Sequence, residues 1–273
     1  MKLNSLVFPA PKSTYDISTF KGELVWIPQL KSKALSPIPC LYCQPPSSSS
    51  QILIYFHGNL EDLGACYLLA DFISKKLKIN VLAVEYPGYG IYPGKSSSKR
   101  IKNDAKNIYE YLQENIKIKE SDIIILGRSI GSGPATFIAA KKNPGALVLM
   151  SAYTSIKDVA KKITCCAAFL KNRFKNTHVM NKVVCPTLLI HGKKDTLIPW
   201  KFSEKLRKLC GGPATLALSP AMTHNDFNFT EIITLLYDFL MHYQVINISD
   251  MPGINLSEII IHDTHEDSQE KSS

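Results

Sequence analysis

The 273-residue chain is 45% hydrophobic and 20% charged, with a net charge of +9, which excludes a disordered or collagen-like polymer and leaves ample apolar material for a core. Residues 1–243 carry +14 and residues 244–273 carry −5; the lysines are spread over predicted helices without a helix-turn-helix, RNA-recognition or zinc-finger pattern, so no nucleic-acid partner is expected. Seven scattered cysteines make no disulfide scaffold, and no apolar run reaches the ~18 residues that span a bilayer.

Only Lys2 precedes an apolar stretch broken by Pro9 and Pro11, so no secretory leader is expected and the expected location is cytoplasmic. Glu23 to Ile27 and Ile38 to Cys43 read as short edge strands separated by Pro28. After a Pro- and Ser-rich loop, Ile52 to Phe56 is a continuous apolar run, as in a central strand covered on both faces. Apolar residues at helical spacing predict a helix over Leu60–Leu77. Strand Val81–Val84, the loop EYPGYGIYPG, helix Ile101–Ile116 and strand Ile123–Leu126 follow.

A helix from Ile130 to Lys142 is stopped by Asn143-Pro144-Gly145. Strands Ala146–Met150 and Thr187–Ile190, helix Lys201–Cys210, strand Ala214–Leu218 and helix Thr230–Tyr243 complete the pattern. Strict alternation of strand and helix predicts an α/β fold, a mostly parallel sheet with helices on both faces, as one domain over residues 1–249. Residues 250–273, rich in serine and acids, read as a disordered tail. The stretch 152–184 interrupts the alternation. Its apolar stripe Ile156, Val159, Ile163, Ala167 and Leu170, flanked by Lys157, Lys161, Lys162, Lys171, Arg173 and Lys175, predicts a short helical cap over a site.

Gly127-Arg128-Ser129-Ile130-Gly131 matches G-x-S-x-G between a predicted strand and a predicted helix, the context of a nucleophile elbow. So tight a turn excludes side chains two residues before and after the serine, which is the work of glycine. A serine hydroxyl needs a base to take its proton and a carboxylate to orient that base. Asp195 and His224 stand downstream in that order, each just beyond a predicted strand, where open α/β sheets build their sites. His57 and His191, each directly before a glycine at a strand end, are the weaker bases. Asp226, two residues from His224, is expected to cap the final helix.

The backbone N–H of Ile130 is the first expected oxyanion donor. The second is that of Asn59 in FHGNLED, with Leu60 as runner-up. The glycine-rich segments lack phosphate-loop and dinucleotide spacings, and Cys40-x-x-Cys43 has no second pair. Neither metal nor organic cofactor is expected.

YFHGNLEDLG from Tyr55, VEYPGYG from Val84, GRSIGSGPA from Gly127, LLIHGKKDTLIP from Leu188 and THND from Thr223 together resemble the α/β-hydrolase superfamily, and within it the depalmitoylase-like branch of α/β-hydrolase-domain proteins. The resemblance implies an eight-strand-type sheet and a serine hydrolase with Ser129, Asp195 and His224 as its triad. It implies an acyl-enzyme mechanism on a carboxylic ester or thioester, extending to thioesterase action on S-acylated proteins. The alternatives are a serine-aminopeptidase-like hydrolase or a non-catalytic binding protein that retains the fold. Membrane-bound members of the branch carry an N-terminal cysteine cluster or a spanning helix, whereas the first cysteine here is Cys40. Peripheral membrane contact is expected instead through the basic insertion, with Cys165 and Cys166 as acylation sites.

Overall fold

Side chains on a strand alternate between faces, and a sheet whose central strands carry apolar residues on both faces must therefore be covered twice. The computed structural model describes residues 7–20, 22–30, 35–163 and 173–246; the acidic tail, Cys165 and Cys166 lie outside them. Within the described residues one sheet contains β1 (Leu24–Ile27), β2 (Ile38–Cys43), β3 (Ile52–Phe56), β4 (Asn80–Val84), β5 (Ile123–Arg128), β6 (Ala146–Met150), β7 (Thr187–Gly192) and β8 (Ala214–Ser219). Their spatial order is β1-β2-β4-β3-β5-β6-β7-β8. The first two pairings are antiparallel and the remaining five parallel, as the alternation of elements predicts.

Ile52, Ile54 and Phe56 of β3 join Ile123 and Ile125 of β5 in one core, against Ile101, Ala105 and Ile108 of α2 (Ser98–Glu114) and Ala135 and Ile138 of α3 (Ser132–Ala139). Leu53 and Tyr55 point the other way with Ile124 and Leu126, against α1 (Leu63–Leu77) and α6 (Phe229–His242). Helices α4 (Ile156–Ile163) and α5 (Lys201–Leu209) complete the set. β3 pairs with β4 on one side and β5 on the other. The chain thus reverses direction across the sheet at β3, and the crevice beyond its carboxyl end is where such sheets bind ligands.

Helix ends differ from the periodicity because caps and turns set them. Leu60 is not helical: it takes φ +61° and is 62% exposed, and α1 starts after Asp62, whose carboxylate accepts from Ala65 N–H. Helix α2 begins earlier than Ile101, behind the Ser97 cap, and stops before Lys117 at φ +67°. The segment expected as helix from Ile130 to Lys142 is a 3₁₀ turn over Ser129–Gly131 followed by the shorter α3. A turn leaving a strand this abruptly closes more readily with the narrower 3₁₀ spacing. Asp226 does not cap α6. Its N–H and C=O close a turn with Thr223, and the Asn228 side chain accepts from Thr230 and Glu231 N–H.

Candidate active site

At the end of β5 the chain turns back so sharply that a Cβ at Gly127 would overlap Gly131 and Ala135, and one at Gly131 would overlap the Phe56 backbone. Ser129, between them, is held at φ +51°, the left-handed region that costs a residue with a Cβ energy. Its Oγ stands 3.0 Å from His224 Nε2, and His224 Nδ1 stands 2.8 Å from Asp195 Oδ2. An ionised carboxylate only accepts, so Nδ1 carries the proton and the Nε2 lone pair faces the serine hydroxyl.

Burial by itself would raise the Asp195 carboxyl. Hydrogen bonds from His191 and His224 and from the Ile198 N–H outweigh that and hold it well below the usual carboxylate range. His191, weighed in the sequence as a base, is fully buried instead. Its Nε2 donates to Ile198 O at 2.8 Å and lies 3.3 Å from Asp195, while Nδ1 accepts from Ser203 Oγ. It braces the carboxylate rather than facing the cavity.

The loop after β3 shares a cavity with Ser129: Gly58, Asn59, Leu60, Ser129, Ile130 and His224 border one space of about 430 Å³. The Asn59 side chain is fixed at both ends, donating to Val7 O at 3.1 Å and accepting from Tyr89 Oη at 2.8 Å. Gly58 N–H donates to Glu61 at 2.6 Å. His57, the other rival base, is also buried: Nε2 lies 3.1 Å from Glu85 Oε1 and Nδ1 lies 3.0 Å from Gly58 O. Both neighbours are acceptors. Although burial favours a neutral ring, the Glu85 hydrogen bond and charge raise the His57 pKa.

Three groups outside the sequence expectations hold these loops together. The buried Arg128 guanidinium pairs through Nη1 with Glu61, donates through Nη2 to His224 O at 2.9 Å, and lies 5.1 Å from the centre of the Phe227 ring. It thereby joins the loop after β3, the elbow and the histidine loop. Glu85 closes β4 and accepts from His57, Tyr86 N–H, Leu63 N–H and Tyr15 Oη. The third is the N-terminal segment: Val7 holds Asn59, Thr14 N–H donates to Asp62 at 2.7 Å, and Tyr15 reaches Glu85 at 2.8 Å. A charged residue directly after the apolar run Val81–Val84 is a readable sign of Glu85. The partners of Arg128 and Val7 leave no local trace.

The apolar part of the cavity lining includes Val7, Ile130, Ile156, Val159, Leu197 and Ile198, so the start of the predicted cap stripe borders it. Among the described residues no group of three or more His, Cys, Asp and Glu side chains could hold a metal ion, and no helix is long and apolar enough to cross a membrane.

A family model described as serine hydrolase (FSH1) matches residues 85–224. The alpha/beta hydrolase domain-containing protein aho-3 of Caenorhabditis elegans is 28% identical over 246 residues, covering 82% of this chain and 73% of that protein. The alpha/beta hydrolase domain-containing protein 17B of Homo sapiens is 29% identical over 193 residues, covering 69% of this chain and 65% of that protein. The match thus spans just under two thirds of the human relative. Among solved structures, the esterase Pf2001 of Pyrococcus furiosus superposes with a TM-score of 0.67 over 85% of this chain and 98% of its own, at 19% identity. That is a likeness of fold, and it extends to the α/β-hydrolase arrangement of the sheet.

Proposed function

The chain belongs to the serine hydrolase (FSH1) family, and on that premise we propose that it cleaves a carboxylic ester or thioester through an acyl-enzyme, with Ser129 as nucleophile. The observation that carries the reading is the hydrogen-bonded line Ser129–His224–Asp195, opening on an apolar cavity. Ser129 Oγ attacks the acyl carbon as its proton passes to His224 Nε2. Asp195 keeps the ring in the required tautomer and stabilises the imidazolium. The N–H groups of Ile130 and Asn59 receive the oxyanion, each worth about 3–4 kcal/mol in the transition state. Collapse breaks the bond to the alcohol or thiol, which leaves with the proton from His224. Water then gives a proton to His224, attacks the acyl-enzyme and releases the acid, and Ser129 regains its hydrogen.

The substrate class in this reading is an S-acylated protein, the acyl chain lying along Ile156, Val159 and Ile198 and the protein thiol leaving at the open side. The cavity volume of about 430 Å³ falls within the range of roughly 300–1,000 Å³ usual for small-ligand sites. We take residues 1–249 as the catalytic domain, 152–184 as its cap, and the cap lysines Lys157, Lys161 and Lys162 as its contact with anionic membranes. An aminopeptidase would hold a substrate ammonium against a carboxylate, and none stands among the described lining residues.

The test is labelling by a fluorophosphonate probe followed by a substrate panel. Wild type is expected to label and Ser129→Ala not, with acyl thioesters and esters hydrolysed in preference to aminoacyl amides. A folded, unlabelled wild type refutes the enzyme reading, and turnover confined to aminoacyl amides refutes the substrate class.

A further inference from the structure

A second cavity of about 280 Å³ lies between α2 and the segment Arg173–Val179. Lys102, Arg173, Lys175 and His178 line it over Phe137 and Phe174, and none of its lining residues is acidic. The Lys102 ammonium stands 5.1 Å from the centre of the Phe137 ring, and that of Lys141 stands 4.6 Å from the same ring. Lys102, Arg173 and Lys175 thus line a space smaller than the roughly 300–1,000 Å³ of drug-sized sites, and Lys141 stands beside it over the Phe137 ring.

Among the described residues, the buried Arg173 Nη1 has no hydrogen-bond partner. Such a donor is expected to be paired, and a guanidinium matches the oxygens of a phosphoryl group in pairs. Asn176 does not compete for the space, because its amide donates to Ser132 Oγ and Tyr153 O. Phe174 lines this cavity and does not line the catalytic one. Its ring fills the place a Cβ at Gly133 would take, and it packs edge-on against Phe8, with centroids 6.3 Å apart, beside Val7 on the catalytic side.

We propose that this second cavity binds a phosphate-type oxyanion, either free in solution or carried on a lipid headgroup, with Arg173 and Lys102 as its direct ligands and Lys175 and Lys141 supplying charge. The assignment does not depend on the hydrolase reading, and hydrolytic activity is not its readout.

Calorimetric titration of the 273-residue chain with inorganic phosphate, at ionic strength held constant with chloride, tests the free source. Sedimentation with phosphatidylcholine vesicles containing phosphatidylinositol 4-phosphate, or phosphatidylserine at equal total charge, tests the lipid source. Saturable binding in either arm, weakened at least tenfold in Lys102→Gln/Arg173→Gln and unchanged in the α1 variant Lys76→Gln, supports the site, and the responding arm names the source. Lys102→Gln alone, with a partly exposed side chain, is expected to weaken binding about threefold if the double variant does not fold. No binding in either arm overturns the proposal. So does binding that the cavity variants leave unchanged, including equal uptake by the two anionic vesicles that Lys102→Gln/Arg173→Gln does not weaken.

Discussion

Replacing Ser129 by glycine and, separately, by alanine separates the strain of the elbow from its chemistry. Both variants lose the hydroxyl and with it the 3.0 Å hydrogen bond to His224, so neither is expected to turn over, and their difference in stability reports the backbone. Alanine keeps a Cβ at φ +51°, at a cost of about 1–2 kcal/mol. Glycine is free of that cost but gives up about 0.4–1 kcal/mol through its looser unfolded chain. The balance favours glycine by about 0.5–1 kcal/mol, or about 1–4 °C in Tm at roughly 2–4 °C per kcal/mol for a domain of this size. Scanning calorimetry of the two variants beside wild type, with hydrolysis of a p-nitrophenyl ester, measures both terms. An alanine variant as stable as the glycine variant refutes the strain argument, and wild-type turnover in either refutes the role of Ser129.

Asp195→Asn removes the acceptor that fixes the His224 tautomer and is expected to lower kcat about ten-thousandfold with little change in KM, read from steady-state ester kinetics. Because the folded carboxyl of Asp195 is held down, its stabilisation is present above the unfolded value of about 3.9 and is lost as pH falls through the folded value; acid melts should be steeper for wild type than for Asp195→Asn. Glu61→Gln leaves the buried Arg128 without its anion, and with the Glu61 side chain 24% exposed the loss is about 2 kcal/mol, seen as a Tm lower by about 4–8 °C and a kcat at least tenfold lower. For His57 the sign is opposite: its raised pKa means stabilisation present below about 6.5 and lost as pH rises through the folded value. Glu85→Gln should therefore flatten the dependence of the melting temperature on pH above about 6.5. Val159→Trp, reaching into the apolar cavity, should shift chain-length preference toward short acyl groups in a p-nitrophenyl ester series.

The sheet was legible because β3, β6 and the first four residues of β5 are unbroken apolar runs of a length that excludes helices, and the intervening stripes have helical spacing. Leu60 misled because an apolar residue at the right spacing cannot reveal that its backbone must turn left-handed. The final helix was given the wrong cap for a similar reason: Asp226 and Asn228 are equally suited by type, and the Thr223 turn decides between them. Ser129, Asp195 and His224 could be singled out from motif and strand ends, and the structure brings them into one hydrogen-bonded line. The braces around them could not be found in this way. Arg128 meets Glu61 across 67 positions of chain and His224 across 96, and pairing at that distance has no periodic signature.

The contacts of Val7, Thr14 and Tyr15 with Asn59, Asp62 and Glu85 give the beginning of the chain an unexpected status. A protease nick or an expression truncation before residue 16 would spare every strand of the sheet and all three residues of the hydrogen-bonded line, yet it would release the loop that is to receive the oxyanion. Preparations trimmed there should melt as folded proteins and fail as hydrolases. An intact N-terminus, checked by mass, therefore belongs beside the active-site titration when specific activities are compared.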